Sequence, residues 1–217
     1  MKHIHVEQGS PEWLHLRLGI PTASQFGRIT TPKKLQLSSQ AETYRNQLLA
    51  EWLLGYPIDW SGSSSFMERG TEMEARARAF YEMRFDVDVA PGGFVLRDDE
   101  LVGGSPDGLV GADGGVELKC PAIHTHIGYL VDPESLVREY FGQVQGLLYL
   151  TGRDWWDLVS YNPELPEVVQ RARRDEQYIT ALVPVLDAFV ADLVACRARL
   201  HPAREARAGN GEVAHAA

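Results

Sequence analysis

The sequence predicts an α+β domain, a mixed α/β arrangement with its sheet in the middle of the chain. Three observations carry this. Apolar residues recur at helical spacing up to Phe85; short β-like runs separated by turn residues fill 87–118; and a helix, a strand and a long helix follow. The chain has 217 residues, 44 % of them hydrophobic, which suits one domain with a real core and excludes a wholly disordered chain. We place that domain at residues 1–200. Residues 201–217, rich in Ala, Gly, Glu and Arg without periodicity, are expected to form a flexible tail.

Ser10-Pro11-Glu12 supplies a cap, a proline suited to the first helical position and an acid in the first turn, and Trp13, Leu14, Leu16 and Leu18 continue to Gly19. A short helix is expected there. Further helical stretches are expected at 23–29 and 41–55, with a polar, basic loop at 30–34. Residues 56–65 are rich in Gly, Pro and Ser and read as loop. Phe66, Met73, Ala77, Phe80, Tyr81 and Phe85 mark the next helix. Turn residues at 91–93, 98–100 and 113–115 then divide the apolar runs, which predicts an antiparallel meander of three or four strands. Residues 134–150 read as helix, 155–161 as strand, and 175–200 as an amphipathic helix interrupted at Pro184.

Thirty acids against 21 bases give a net charge of −9 and a pI near 5.3, which argues against a generally sticky nucleic-acid binder. The charge is uneven. Residues 13–50 hold five bases and one acid, whereas 52–120 hold 13 acids and six bases. A polyanion would therefore be met locally, and bound cations would offset the acidic half. No stretch approaches the roughly 18 unbroken apolar residues of a membrane span, and residues 1–9 lack a signal-peptide layout, so a cytoplasmic protein without membrane contact is expected. Cys120 and Cys196 stand far apart and read as reduced thiols.

The informative segment is Ser105-Pro106-Asp107-Gly108 followed by Glu117-Leu118-Lys119. On a strand Glu117 and Lys119 share a face, and a preceding strand paired through the 111–115 turn brings Asp107 to it. Two carboxylates suit a hard cation such as Mg²⁺, and a neighbouring ammonium would position water and offset phosphoryl charge. Glu-x-Lys alone reads as a surface ion pair of small energy, and the upstream Pro106-Asp107-Gly108 is what turns the reading toward a cation site. Glu74 lies at the edge of an apolar helix face, where it either points inward or pairs with Arg78 at i+4.

In order along the chain stand Trp13-x-x-x-Arg17 with Thr22-Ala23-Ser24, Gly70-x-x-x-Glu74, Gly104-Ser105-Pro106-Asp107-Gly108, Glu117-Leu118-Lys119-Cys120-Pro121, and Gln143-Val144-Gln145 with Tyr161-Asn162-Pro163. The set resembles the PD-(D/E)xK nuclease core, and more closely the lambda exonuclease family of phage recombination nucleases, the YqaJ-like recombinases. The resemblance implies that Asp107, Glu117 and the Leu118 main-chain carbonyl hold Mg²⁺, with Mn²⁺ able to substitute. Lys119 would activate water, Glu74 would hold a second metal or its waters, and Gln143 would line the nucleophile side. Arg17 and Ser24, with Ser105 as helper, would bind a terminal 5′-phosphate; without the resemblance, Arg17 covering the core and Ser24 capping a helix explain those two residues.

Relatives carry a further Arg after the Glu-x-Lys strand where this chain has His124-Thr125-His126, so a histidine would serve there only in part. The implied function is a Mg²⁺-dependent 5′-to-3′ exonuclease on duplex DNA, releasing mononucleotides and leaving a 3′ tail for a single-strand annealing protein. The implied assembly is a homotrimeric ring, and the implied origin a phage or prophage in a bacterial host. A PD-(D/E)xK endonuclease, a helicase-associated exonuclease and a non-enzymatic DNA-end scaffold are the alternatives. Trp155-Trp156 reads as core or as a base-stacking surface, and Lys33-Lys34 as a solvated pair or a backbone contact.

Overall fold

The computed structural model describes residues 1–31, 34–58 and 64–214; Lys33, residues 59–63 of the expected 56–65 loop, and the side chains of 64–72, 206 and 208–214 lie outside that description. A short strand, β1 (Lys2–Ile4), precedes helix α1 (Pro11–Arg17), whose Ser10 cap accepts from the Trp13 N–H. A single turn of 3-10 helix (Ala23–Gln25) runs into α2 (Phe26–Ile29). Helix α3 (Ala41–Leu54) stops at Gly55, whose φ of 79° is the left-handed conformation that glycine adopts freely. Helix α4 (Ser64–Phe85) leads into the strands.

Those strands do not make one meander. They are β2 (Val89–Pro91), β3 (Phe94–Leu96), β4 (Gly103–Gly104), β5 (Gly108–Val110) and β6 (Gly114–Lys119), and they divide between two sheets. The smaller sheet has the order β1-β3-β4; the larger is β2-β5-β6-β7-β8, completed by β7 (Trp155–Ser160) and β8 (Val168–Arg173). The chain changes sheet at Gly92-Gly93, where Gly93 takes φ 61°, so β3 turns away from β2 and pairs instead with the N-terminal strand. Strand β6 pairs antiparallel with β5 but parallel with β7. A parallel pair needs a long crossover, supplied by α5 (Ile123–Val131) and α6 (Glu134–Thr151).

The larger sheet is covered on both faces, which makes its inner strands apolar on both sides. Val116, Leu118 and Val159 pack against Ala77 and Tyr81 of α4. The opposite face, with Trp156 and Leu158, packs against Val144, Leu147 and Leu148 of α6, and α2, α3 and the last helix close over α6. This placement resolves the tryptophan alternatives: Trp156 is fully buried, and Gly115 lies so close to its ring that a Cβ there would come within 2.5 Å. Trp155 instead lies under Arg171, whose guanidinium carbon sits 3.7 Å from the ring centroid.

The last helix, α7 (Glu176–Ala214), is unbroken at Pro184 and continues through Pro202. Both prolines lie on the exposed side, so the carbonyls four residues earlier, freed from helical hydrogen bonds, can turn to water. Where a tail was expected, Arg207 donates to the otherwise unsatisfied carbonyls of Leu53 and Leu54 at the end of α3, and Arg204 lies 4.4 Å from the Trp52 ring centroid. The span 176–205 is long and apolar enough to cross a membrane, yet its apolar face of Leu182, Leu186, Phe189 and Leu193 is buried in the core.

One buried polar cluster ties the layers together. Asp157 of β7 is 2 % exposed and accepts from the Tyr81 hydroxyl at 2.7 Å and from Arg171 at 2.7 and 2.8 Å. Arg171 is 44 % exposed and can return to water if its partner is removed, whereas the Tyr81 hydroxyl cannot. Asp157→Ala is therefore expected to cost about 2 kcal/mol, the penalty for one orphaned buried donor. In a thermal melt that corresponds to a fall of roughly 4–8 °C; an unchanged midpoint would contradict the assigned role.

Candidate active site

Strand alternation aims Glu117 and Lys119 at α6, and the β5–β6 register, with Gly108 opposite Val116, sets Asp107 opposite Glu117. Glu117 is 3 % exposed. Its Oε1 accepts from Lys119 Nζ at 2.8 Å and from the Gln143 side-chain amide. Its Oε2 is buried with no hydrogen-bond partner among the described residues. The Asp107 carboxylate accepts from the Leu118 N–H at 2.8 Å, which fixes the Leu118 peptide beside it. Glu74, on α4, lines the same cavity as Asp107, close enough for the two carboxyls to shift one another. It faces inward, with Arg78 beside it in that cavity. Lys119 also lies over the Tyr140 ring at 4.5 Å.

The electrostatics follow from this crowding. Burial, then the charges of Glu117 and Glu74, hold the Asp107 carboxyl well above the usual carboxylate range. Glu74 is raised by burial and by Glu117, with Arg78 and Lys119 opposing. Burial lowers the Lys119 ammonium, but Glu117 and Asp107 outweigh it and the net shift is upward. Lys119 is thus a standing cation. The neighbouring Cys120 thiol is pushed up to about 11 by burial and then by Glu74 and Asp107, which makes it a poor nucleophile.

A second cluster adjoins the first. Ser105, two residues before Asp107, accepts from Trp13 Nε1 at 2.8 Å and from Arg17 Nη1 at 3.2 Å, while the Arg17 guanidinium stacks 4.0 Å over the Trp13 ring. Arg17 thus covers the Trp13 ring while its guanidinium reaches Ser105. The 22–24 turn is pinned beside β4: Thr22 forms a bridge with Gly103, and Gly103 donates to the Pro21 carbonyl at 3.0 Å. This leaves Ser24 exposed, with its hydroxyl 3.3 Å from Thr22 Oγ1. Arg28 lies 4.6 Å over the ring of Tyr44, whose hydroxyl accepts from the Thr22 N–H.

His126 does not join this cluster. It is fully buried, with Nε2 donating to the Pro166 carbonyl at 2.9 Å and Nδ1 2.7 Å from Ser160 Oγ, so it anchors the turn after β7. His124 is exposed on α5. The sequence assigns no functional role to Arg28, Tyr44 or Tyr140, and Arg78 enters only as an external partner of Glu74. The one available signal was Arg78, four residues after Glu74 on the same helix.

Residues 12–154 match the YqaJ-like viral recombinase domain. The chain belongs to that family. It is similar to the alkaline exonuclease LHK-Exo of Laribacter hongkongensis, with 33 % identity, a TM-score of 0.78, and coverage of 89 % of this chain and 97 % of that one. The structure of LHK-Exo with dAMP gives 32 % identity and the same TM-score over 90 % of this chain and 99 % of the other. A phage-related exonuclease from Haemophilus somnus 129PT shares the fold at 16 % identity, with a TM-score of 0.64 over 81 % and 95 % of the two chains. No curated protein matches the sequence. The PD-(D/E)xK fold expected from the motif order is the one this recombinase-family chain adopts.

Among the described residues, no three His, Cys, Asp or Glu side chains already stand at ligand spacing. The donor set nevertheless fits a hard divalent cation: buried Glu117, with an oxygen that no described residue satisfies, half-buried Asp107, and Glu74 across the cleft. Because the folded state raises the Asp107 and Glu74 carboxyls, their ionisation at neutral pH destabilises the cation-free protein. Asp107→Asn keeps an acceptor for the Leu118 N–H and removes one of the repelling charges. It is expected to raise the melting temperature in chelator by a few degrees, about 1 kcal/mol or more, and to abolish stabilisation by added Mg²⁺. A lower midpoint in chelator would contradict the crowded-charge account.

Proposed function

We propose that this chain is a DNA exonuclease that degrades duplex DNA from 5′ ends, using Mg²⁺ at Asp107, Glu117 and the Leu118 carbonyl. Family membership and the likeness to an alkaline exonuclease over nearly the whole chain support the exonuclease. The observation that carries the polarity is the Ser105–Asp107 segment. Two residues span at most about 7 Å, so a phosphate held by Ser105 and Arg17 lies directly beside the carboxylate cleft. A terminal 5′-phosphate seated there would bring the adjoining phosphodiester to the cleft.

When bound, a divalent cation would withdraw charge from the phosphate and ready water for attack. This chain's residues do the rest. Arg17 offers a forked donor to the terminal phosphate, with Ser24 and Ser105 adding hydroxyls. Lys119, already protonated, orients the attacking water and offsets charge building on the phosphoryl oxygens rather than removing a proton. Gln143 holds Glu117 in place from α6. Glu74 closes the acidic wall from α4. The remaining 3′ strand would pass to a single-strand annealing protein. For a homotrimeric ring, the exposed apolar stripe of Ile123, Ile127 and Val131 on α5 offers a contact face.

Linear duplexes bearing 5′-phosphate or 5′-hydroxyl ends, and closed circles, test the proposal with and without Mg²⁺. Nucleotide release from linear DNA alone is expected, with Lys119→Ala lowering it at least about 100-fold and Arg17→Ala reducing the preference for 5′-phosphate. Cutting of circles would favour the endonuclease reading, and no release from any substrate the scaffold. Light scattering should give three times the 24.2 kDa chain mass; a monomer would remove the ring.

A further inference from the structure

We propose that Arg78 is a positioning residue that locks Asp107 onto α4, so that the two carboxylate-bearing walls of the cleft are held as one rigid cation site; the inference rests on the function proposed above. Arg78 is half-buried on α4, one helical turn beyond Glu74. Its Nη2 donates to the main-chain carbonyl of Asp107, and its Nη1 to the Val89 carbonyl of β2 at 3.4 Å. One guanidinium therefore bridges three elements: the helix of Glu74, the edge strand β2, and the segment that delivers Asp107 into β5.

The same peptide segment is held from other sides. Gln8 Nε2 donates to the Pro106 carbonyl at 2.7 Å, and the Leu118 N–H binds the Asp107 carboxylate. Gly92 lies so close that a Cβ on it would come within 1.8 Å of the Pro106 carbonyl oxygen. Arg78 is the only one of these contacts that joins Asp107 to α4 by its main chain. Glu74, Arg78, Gln8 and Asp107 line one cavity of about 240 Å³.

Two effects of this cation have opposite signs, which makes the role testable. As a charge, Arg78 repels a divalent cation, so its removal would tighten binding. As a clamp, it preorganises Asp107 against Glu74, so its removal would weaken binding; loss of such partners behind a metal ligand typically costs 10–100-fold in affinity. The two-point geometry of the guanidinium, which a lysine cannot reproduce, favours the clamp.

The test is calorimetric titration of Mg²⁺ into the DNA-free full chain, for the wild type, Arg78→Met and Arg78→Lys, alongside kcat and KM on linear duplex. The expected result is Mg²⁺ affinity at least about tenfold weaker in both variants, with KM for DNA unchanged and kcat recovering at saturating Mg²⁺. Affinity equal to or tighter than wild type in Arg78→Met, or full rescue by Arg78→Lys, would overturn the clamp, because either result assigns Arg78 a role through charge alone. Should Arg78→Met fail to fold, by circular dichroism, Arg78→Lys decides by the same criterion. A wild type that binds no divalent cation would overturn the proposed function itself, whereas normal wild-type binding with unaffected variants overturns only this inference.

Discussion

Three carboxylates share one cleft with a single lysine, and most of the local structure is explained by that imbalance. Among the described residues nothing satisfies one oxygen of buried Glu117, Asp107 is pushed toward its neutral form, and the adjacent thiol is raised by burial and then by the same negative field. Such a cluster opposes folding unless something compensates it. The compensation comes from the surroundings: Lys119 and the Gln143 amide on Glu117, the Leu118 N–H on Asp107, and Arg78 facing Glu74. A bound divalent cation would complete it, so binding energy and catalytic readiness draw on the same repulsion.

The fold sets this local cluster beside a second one. Parallel pairing of β6 with β7 puts α6 over Glu117, while the change of sheet at Gly92-Gly93 lets the Ser105–Asp107 segment cross from the small sheet to the large one. At that crossing one short stretch touches both functional regions. Ser105 is gripped by Trp13 and Arg17 of the N-terminal helix, and Asp107 by Leu118 of the central strand. The basic stretch 13–50, five bases against one acid, and the acidic stretch 52–120, thirteen acids against six bases, thus meet at this segment. The net charge of −9 conceals this arrangement.

The sequence made the helices and the catalytic strand legible because their signals are local. Ser10 and Pro11 announce α1, Gly55 ends α3, and Glu117-x-Lys119 needs only strand alternation to place both side chains on one face. What stayed hidden was non-local. Strand β1 spans only Lys2–Ile4 and has no apolar pattern; it exists because β3 offers it an edge. The division into two sheets depends on pairings between distant segments, and β8 carries Arg171, which local reading takes as solvated but which is fixed by buried Asp157. Pro184 and Pro202 misled because their effect depends on which side of the helix faces water, and His126 because burial, not spacing, decides its partners. Among the candidate site residues, the motif order named the carboxylates and hydroxyls together with Arg17, Lys119 and Gln143, whereas Arg78 and Tyr140 touch them through a carbonyl and a ring face that no motif encodes.

The central claim is that the Ser105–Asp107 segment couples end recognition to hydrolysis and so fixes direction. The most direct measurement is the order of release from one linear duplex carrying distinct labels at its 5′ and 3′ termini, followed from the first turnover in Mg²⁺. The account predicts that the 5′ label appears first, as a mononucleotide, while the 3′ label of the same strand is retained until late. Early release of the 3′ label, or both labels leaving together in longer fragments, would contradict it.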